Sequence, residues 1–406
     1  MNVQEDLQLP YTMNKAQMEN TYHSTVVRTD LTRAIPNLIP EIIEESVLTM
    51  EEGFQFTKEK KEVTIPLFDT MTHFVARISN RALLGPELGR NKDFVHAVVR
   101  FAETTPLMAP FICWSPHFLR STVYFVLSSF LGGKKGALKF VVPHLEEYMK
   151  EREFLAEKPG LLSEFLIRNA PPNETVEGVA MRALNMNFGS IHTSSIFVTH
   201  TLFELALLPT SQVDEIREEV IAALDSEGGW TKNALLKFRK IDSLLREVGR
   251  VYGLMHFALP RISMVPYQLD DGNVIPPGYR VAIDMKAIHY NAKVYPDPFR
   301  FDPFRFSKLR ETESTDTKYG FATVDSNYLP FGAGRHACAG RFFAAMELKV
   351  MVAHILLKYN FKYTEPRTVR PKNLQFNGAV VPDPKVHMTF WEREEVSPYL
   401  PAPVLD

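Results

Sequence analysis

Apolar residues recur at spacings of three and four along most of the chain, the period of helices that bury one face. In residues 22–52 this period is crossed by Pro36 and Pro40, which are expected to break the helix. Residues 66–84 read as a helix opened by Pro66 and ended by Gly85-Pro86. Residues 91–103, 143–154 and 241–252 carry the same pattern. The longest run, 175–208, is apolar on most faces. Asn173 is placed to cap it, Glu174 and Glu177 suit its positive end, and Pro209 stops it. At 1.5 Å per residue it would reach roughly 50 Å, enough to cross a protein's centre. Ser211, with Asp214 three residues on, predicts a capping box for the next helix.

After Pro260 the texture changes. The turn Leu269-Asp270-Asp271-Gly272-Asn273 lies between β-like runs at 262–268 and 280–283. A Pro- and Phe-rich stretch (295–306), a glycine-rich loop (329–340), a helix (341–357) and a hairpin (376–391) follow. The fold class is therefore mainly α with a small β portion contributed late. Residues 107–131 are the most apolar, but Pro110, Pro116, His117 and Arg120 interrupt them too often for a spanning helix of about 20 residues. They are expected in the core, with contact to a membrane surface as the alternative. The run Lys58-Glu59-Lys60-Lys61-Glu62 reads as a solvated face.

Composition narrows the function classes. The chain is 45% hydrophobic and 23% charged with a formal net charge of −2, so no global basic balance points to nucleic acid. The two cysteines, Cys113 and Cys338, exclude a disulfide framework, and no Cys/His cluster has zinc spacing. The polar, acidic N-terminus is neither a signal nor a transit peptide. The chain reads as one domain over 1–406, with 1–21 irregular and 394–406 a tail.

The segment that carries chemistry is Phe331-Gly332-Ala333-Gly334-Arg335-His336-Ala337-Cys338-Ala339-Gly340. It sets a cysteine on a glycine-rich loop just before a helix. Glycines let the backbone fold around the sulfur, and the helix N-terminus favours a thiolate. Such a thiolate can ligate haem iron. The alternative for any single cysteine is an inert buried thiol. The spacing Phe-x-x-Gly-x-x-x-Cys-x-Gly arises by chance in roughly one chain in three thousand of this composition.

This loop resembles the haem-binding signature of the cytochrome P450 family, with His336 where the usual form has Arg, as in fungal members. Glu247-Val248-Gly249-Arg250 resembles that family's K-helix Glu-x-x-Arg, and Phe301-Asp302-Pro303-Phe304-Arg305-Phe306 the segment supplying a second arginine. The resemblance implies a buried ion network of Glu247, Arg250 and Arg305. By itself an i, i+3 pair is more often a solvated helix face. The long helix resembles the I helix, its centre reading Gly189-Ser190-Ile191-His192-Thr193-Ser194. There the resemblance gives Thr193, with Ser194 beside it, the role of supporting proton delivery to bound dioxygen. Otherwise Thr193 bonds only the carbonyl one turn back. His192 stands where an acid is usual; it either relays protons or packs against substrate.

The resemblance further implies haem b held by Cys338 as the metal ligand, with Phe331, Gly334, His336 and Gly340 around the cofactor and Arg261 at a propionate. Phe188, Ile191, Phe257, Ala258, Leu259, Phe376, Asn377 and Gly378 would line an apolar substrate pocket, although each singly fits ordinary core. The implied reaction is monooxygenation of a lipophilic molecule, terpenoid or related by likeness to fungal secondary metabolism. Thiolate ligation favours O–O cleavage. Electrons would come from NADPH through a separate NADPH-cytochrome P450 reductase, since the chain shows no flavin or nicotinamide signature. The rivals are a haem-thiolate enzyme of another type (isomerase, dehydratase, peroxygenase), a non-catalytic haem protein, and a helical interaction protein without haem.

The likeness covers residues 22–393. It implies relatives with on the order of a hundred more residues at the front, holding a membrane anchor, the first helices and leading strands of the main sheet. The usual Trp-x-x-x-Arg of the C helix is not found, leaving His23 and Arg28 as propionate partners. Relatives would sit on the cytosolic face of the endoplasmic reticulum; for this chain the expectation is cytoplasmic or peripheral.

Overall fold

The computed structural model describes residues 8–150, 160–313, 318–376, 378–395 and 397–401. Short helices at Leu9–Thr12 and Ala16–Glu19 open it, where an irregular lead was expected. A long helical stretch follows: Tyr22–Val26, a π-helical turn Val27–Leu31, and α1 (Thr32–Phe54). Pro36 and Pro40 lie inside α1 and do not break it. Both are exposed, so the carbonyls they leave unbonded can be hydrated. Ile35, Leu38, Ile39 and Ile42 hold the opposite face in the core. That burial outweighs the local proline penalty of about 3 kcal/mol each.

β1 (Glu62–Pro66) leads into α2 (Leu67–Leu83), followed by α3 (Lys92–Trp114), α4 (Arg120–Leu131) and α5 (Lys134–Lys150). Asn91 caps α3, its side-chain oxygen accepting from the Phe94 amide at 3.0 Å. α6 (Val176–Leu205) has 30 residues, about 45 Å of helix. Its cap is Thr175, which accepts from the Gly178 amide, in place of the expected Asn173. α7 (Thr210–Glu227) begins after Pro209 without a side-chain cap; Asp214, expected in a capping box, pairs with Arg217. α8 (Arg239–Val251) and α9 (Arg341–Lys358) complete the larger helices. α6 is the central rod, packed against α2, α3, α5, α8 and α9. Leu184, Val198 and Leu202 on it are fully buried.

The β portion is small. β2 (Phe257–Ile262) pairs antiparallel with β3 (Arg280–Asp284), with a bulge between Ala258 and Arg261. β4 (Tyr359–Tyr363) joins a three-stranded sheet of order β1-β7-β4, where β7 is His387–Glu392. β5 (Leu374–Phe376) and β6 (Ala379–Val381) form a hairpin that overlaps only the start of the expected 376–391 segment. The rest of that segment leaves to pair with β1, the Thr64 and Thr389 hydroxyls 2.9 Å apart across the sheet. This long-range pairing has no local sequence signal.

Residues 107–131 are core only in part: Met108, Ala109 and Ile112 on α3 are buried, and the rest is not. Trp114 (80% exposed), Phe118 (81%) and Phe130 (80%) face outward, and α4 buries no residue. An apolar run is buried only where another element covers it, and α4 rests chiefly along α3.

Candidate active site

The Cys338 loop is shaped by its glycines. Gly332 and Gly334 take φ of +71° and +63°, in the left-handed region. The turn they allow brings the Cys338 amide to the Phe331 carbonyl at 2.8 Å. Arg341, first residue of α9, donates to the Cys338 carbonyl at 2.9 Å. Arg28 donates to the Arg335 carbonyl at 3.2 Å, joining the loop to the Tyr22–Leu31 stretch.

Cys338 lines a cavity of about 280 Å³ between this loop and α6. The α6 face on the cavity consists of Met186, Gly189, Ser190, Thr193, Ser194 and Phe197. Phe331, Ala339, Gly340 and Phe343 line the loop side. Phe331 is fixed by stacking on Phe197 and meeting Phe321 edge-on. The protein surrounds the Cys338 thiol even though its surface opens onto the cavity, and this burial pushes its pKa up. The Gly340 and Arg341 amides pull it down again. A thiol held neutral in this way gives up its proton when it binds a metal.

α6 turns 100° per residue, and this fixes which side chains reach the cavity. Thr193 does, its hydroxyl donating to the Gly189 carbonyl at 2.7 Å and lying 3.2 Å from the Ser190 carbonyl. Ser194 does too. Ile191, two residues from Gly189, points the other way and is fully buried in the core. Phe188 packs edge-on to Phe101. Neither is part of the cavity lining. His192 also lies outside it; its Nε2 is buried without a hydrogen-bond partner, and burial lowers its pKa to about 4. At neutral pH it carries no charge.

Sequence reasoning overlooked Glu347. It sits on α9 behind the cavity, fully buried, and accepts from the Ser79 hydroxyl at 2.5 Å. Its other oxygen has no hydrogen-bond partner among the described residues. Burial pushes its carboxyl up to about 7, against the pull of the bonded Ser79 hydroxyl. The signal was present: one acid between Met346 and Leu348 in an otherwise apolar run.

The predicted ion network is assembled. Glu247, fully buried, receives Arg250 through bonds of 2.8 and 2.7 Å. Arg305 donates to the same carboxylate at 3.1 and 3.2 Å, and the Asp302 amide donates to it at 3.0 Å. Arg250 also donates to the His289 and Pro298 carbonyls. Arg246, over the Phe306 and Tyr328 rings, holds the Gly320 and Thr323 carbonyls. These arginines tie the irregular chain leading to the Cys338 loop onto α8.

Other expected residues lie further out. Arg261 is exposed and donates to its own neighbour, the Pro260 carbonyl. His336 is exposed and accepts from Arg335 at 3.2 Å. Phe257 is half exposed and Ala258 buried. Leu259, at φ +51°, places its side chain beside Gly332, where an added Cβ would lie 3.6 Å from it. Gly378 meets Phe257 in the same way, at 3.8 Å. Phe376 ends β5; Asn377 lies outside the described residues. His23 is buried against Arg182, and Arg28 lies beside Arg335 at the loop.

The slot suits haem. Its walls are largely apolar, a single soft donor stands on one side, and a Cβ added at Gly189 would meet nothing within 4 Å. Arg28 and Arg335 gather positive charge beside the loop, with the His336 imidazole against Arg335. Fold and site together define a haem-thiolate protein. The cytochrome P450 family model matches residues 15–390, and the chain belongs to that family.

Curated relatives are fungal. Cytochrome P450 monooxygenase 103 of Postia placenta is 31% identical, the match covering 97% of this chain and 80% of that protein. Cytochrome P450 monooxygenase olcJ of Penicillium canescens is 31% identical over 93% of this chain and 72% of its own length. Among solved structures, the cytochrome P450DA heme domain superposes with a TM-score of 0.71 at 18% identity, covering 97% of this chain and 82% of that one. Retinoic acid-bound cyanobacterial CYP120A1 gives 0.68 at 17%, covering 92% and 78%. At such identities these two structures establish the fold alone. The chain is thus an oxidoreductase of the P450 monooxygenase type.

Proposed function

We propose that this chain, as one haem domain, inserts one oxygen atom from dioxygen into a lipophilic small molecule of the terpenoid or related natural-product class. The observation that carries this reading is the placement of Cys338 in an apolar slot facing Gly189 and Thr193 of α6. Haem b, when bound, supplies dioxygen activation, with electrons from NADPH through a separate reductase. Cys338 would hold the iron, and Arg28, Arg335 and His336 the propionates. Thr193 presents a hydroxyl whose proton is shared with the Gly189 carbonyl and whose lone pair remains free to orient a water. Burial leaves His192 neutral, so it accepts or donates only as an imidazole. Glu347, poised near neutral pH, is the acid closest in kind to a proton reservoir. The apolar walls exclude bulk water and favour an apolar substrate.

Peripheral contact with a membrane belongs to the same reading. No described helix is long and apolar enough to cross one. Trp114, Phe118 and Phe130 form an exposed aromatic surface, with Lys135 over the Phe125 ring. That pairing suits the interface of an anionic bilayer, such as the cytosolic face of the endoplasmic reticulum.

The test is the carbon monoxide difference spectrum of the reduced, haem-loaded protein beside Cys338→Ser. The strongly red-shifted Soret band of thiolate ligation is expected in the first and not in the second. A band typical of a neutral or histidine ligand in the first would overturn the reading. Product formation that requires NADPH and reductase then separates a monooxygenase from an isomerase, dehydratase or peroxide-using enzyme.

A further inference from the structure

A second, smaller cavity of about 120 Å³ adjoins the slot, with Ser24 in the lining of both. Leu9, Met13 and Met18 supply apolar wall; Gln17, Thr21 and Asn185 supply polar groups. Gln17 is 4% exposed, yet neither its amide nitrogen nor its amide oxygen has a hydrogen-bond partner among the described residues. Burying an amide with both functions unmet is costly unless something else meets them. His23 lines the same cavity. With its Nδ1 accepting from Arg182 at 2.9 Å, the ring's proton sits on Nε2. Arg182 itself is matched by Glu174. Among the described residues no Asp, Glu, Lys or Arg lines the cavity, so these residues offer it neutral donors and acceptors and no countercharge.

We propose, on the monooxygenase reading above, that Gln17 with Asn185 binds a neutral oxygen function, a hydroxyl or carbonyl, on an otherwise apolar substrate. A carboxylate or amine would be buried there without a partner charge, and a pure hydrocarbon would leave the Gln17 amide unmet. Asn185 and Gly189 lie one helical turn apart on α6, about 6 Å. A substrate anchored at Gln17 extends past Ser24 into the slot beside Gly189 and Thr193. The carbon attacked is therefore at least one ring away from the anchoring oxygen. The substrate is one that an earlier oxygenation or carbonyl-forming step has already marked. Gln17 is a specificity-determining residue in this account, not a catalytic one.

The experiment uses the haem-loaded protein and a matched series: decalin, 2-decalol and 2-decalone. Binding is read from the substrate-induced shift of the haem absorption, for the native protein and for Gln17→Met. The carbon monoxide spectrum of both proteins is recorded first; absence of the thiolate band in the native protein would sink the haem reading, and binding of the three ligands is then read by calorimetry, which still decides this proposal. The native protein is expected to bind the alcohol or ketone more tightly than the hydrocarbon. Gln17→Met should weaken the oxygenated ligands by about tenfold or more, leave the hydrocarbon unweakened, and keep or raise the melting temperature. Equal binding of all three ligands by the native protein, no shift with the alcohol or ketone, or an unchanged preference in the variant would overturn the proposal. So would a fall in melting temperature, which would show that the amide serves the fold.

Discussion

Thr193 donates its hydroxyl proton to the Gly189 carbonyl across 2.7 Å, one turn back along the central helix. The bond spends the proton on the backbone and leaves an acceptor lone pair free at the cavity. Removing it should affect chemistry more than folding, because back-bonded threonines stabilise a helix little. For Thr193→Ala we expect an unchanged melting temperature, retained haem, and product formed per NADPH consumed down by about tenfold or more. Thr193→Ser should recover most of the coupling. A parallel assay of NADPH loss and product decides it; full coupling in the alanine variant would refute the role.

Glu347 should make stability fall on the alkaline side. Its folded-state pKa is raised from 4.5 to about 7, so the native state keeps a proton that the unfolded chain loses. The resulting loss of stability builds as pH rises between those two values. It amounts to at most about 3 kcal/mol. Glu347→Gln, which resembles the protonated acid, should remove that slope and exceed the native melting temperature at about pH 8. A variant with the same pH slope as the native protein would contradict this.

The histidines act in the opposite direction. Burial lowers His23, His192 and His289 to about 4 and His354 to about 3, from an ordinary 6.5. Groups depressed in the folded state stabilise it above their unfolded value, and that stability is lost as pH falls through the window from 6.5 toward the folded values. Thermal melts from about pH 8 to 4 should drop steeply below about 6. His354→Gln, which leaves Ser46 a side-chain partner, should soften that drop.

Glu247→Ala should be the most damaging single change outside the cavity. It would strand Arg250 and Arg305 without their carboxylate, at a cost on the order of 3–5 kcal/mol. The expected product is poorly soluble protein with little bound haem. Normal haem content by absorbance would argue that the network is dispensable.

The outward aromatic surface makes a separable prediction. Phe118→Ser combined with Phe130→Ser should lower co-sedimentation with vesicles containing phosphatidylserine several-fold. The carbon monoxide spectrum should not change, since both residues are exposed and outside the slot lining.

The sequence revealed those parts whose signal is local. Phe331 to Gly340 carried spacing, and Glu247, Arg250 and Arg305 carried order along the chain; the structure brings each set together. What depended on non-local packing was hidden. Pro36 and Pro40 pass through a helix because its buried face is strong enough. β7 pairs with a strand laid down far earlier in the chain. Ile191 looked like a cavity residue until the rotation of α6 turned it into the core. Glu347 and Gln17 stood in view as letters, but their importance lies in being buried without sufficient partners, which only three dimensions display.

The β2–β3 pair has one further consequence. Among the described residues no third strand closes this ribbon, and Phe257, Tyr279 and Ile283 on it are exposed. An open strand edge beside greasy side chains invites a neighbouring molecule to add itself as the next strand. Purified preparations should therefore cloud as they are concentrated, and the tolerable concentration should rise when a charged residue replaces Ile283.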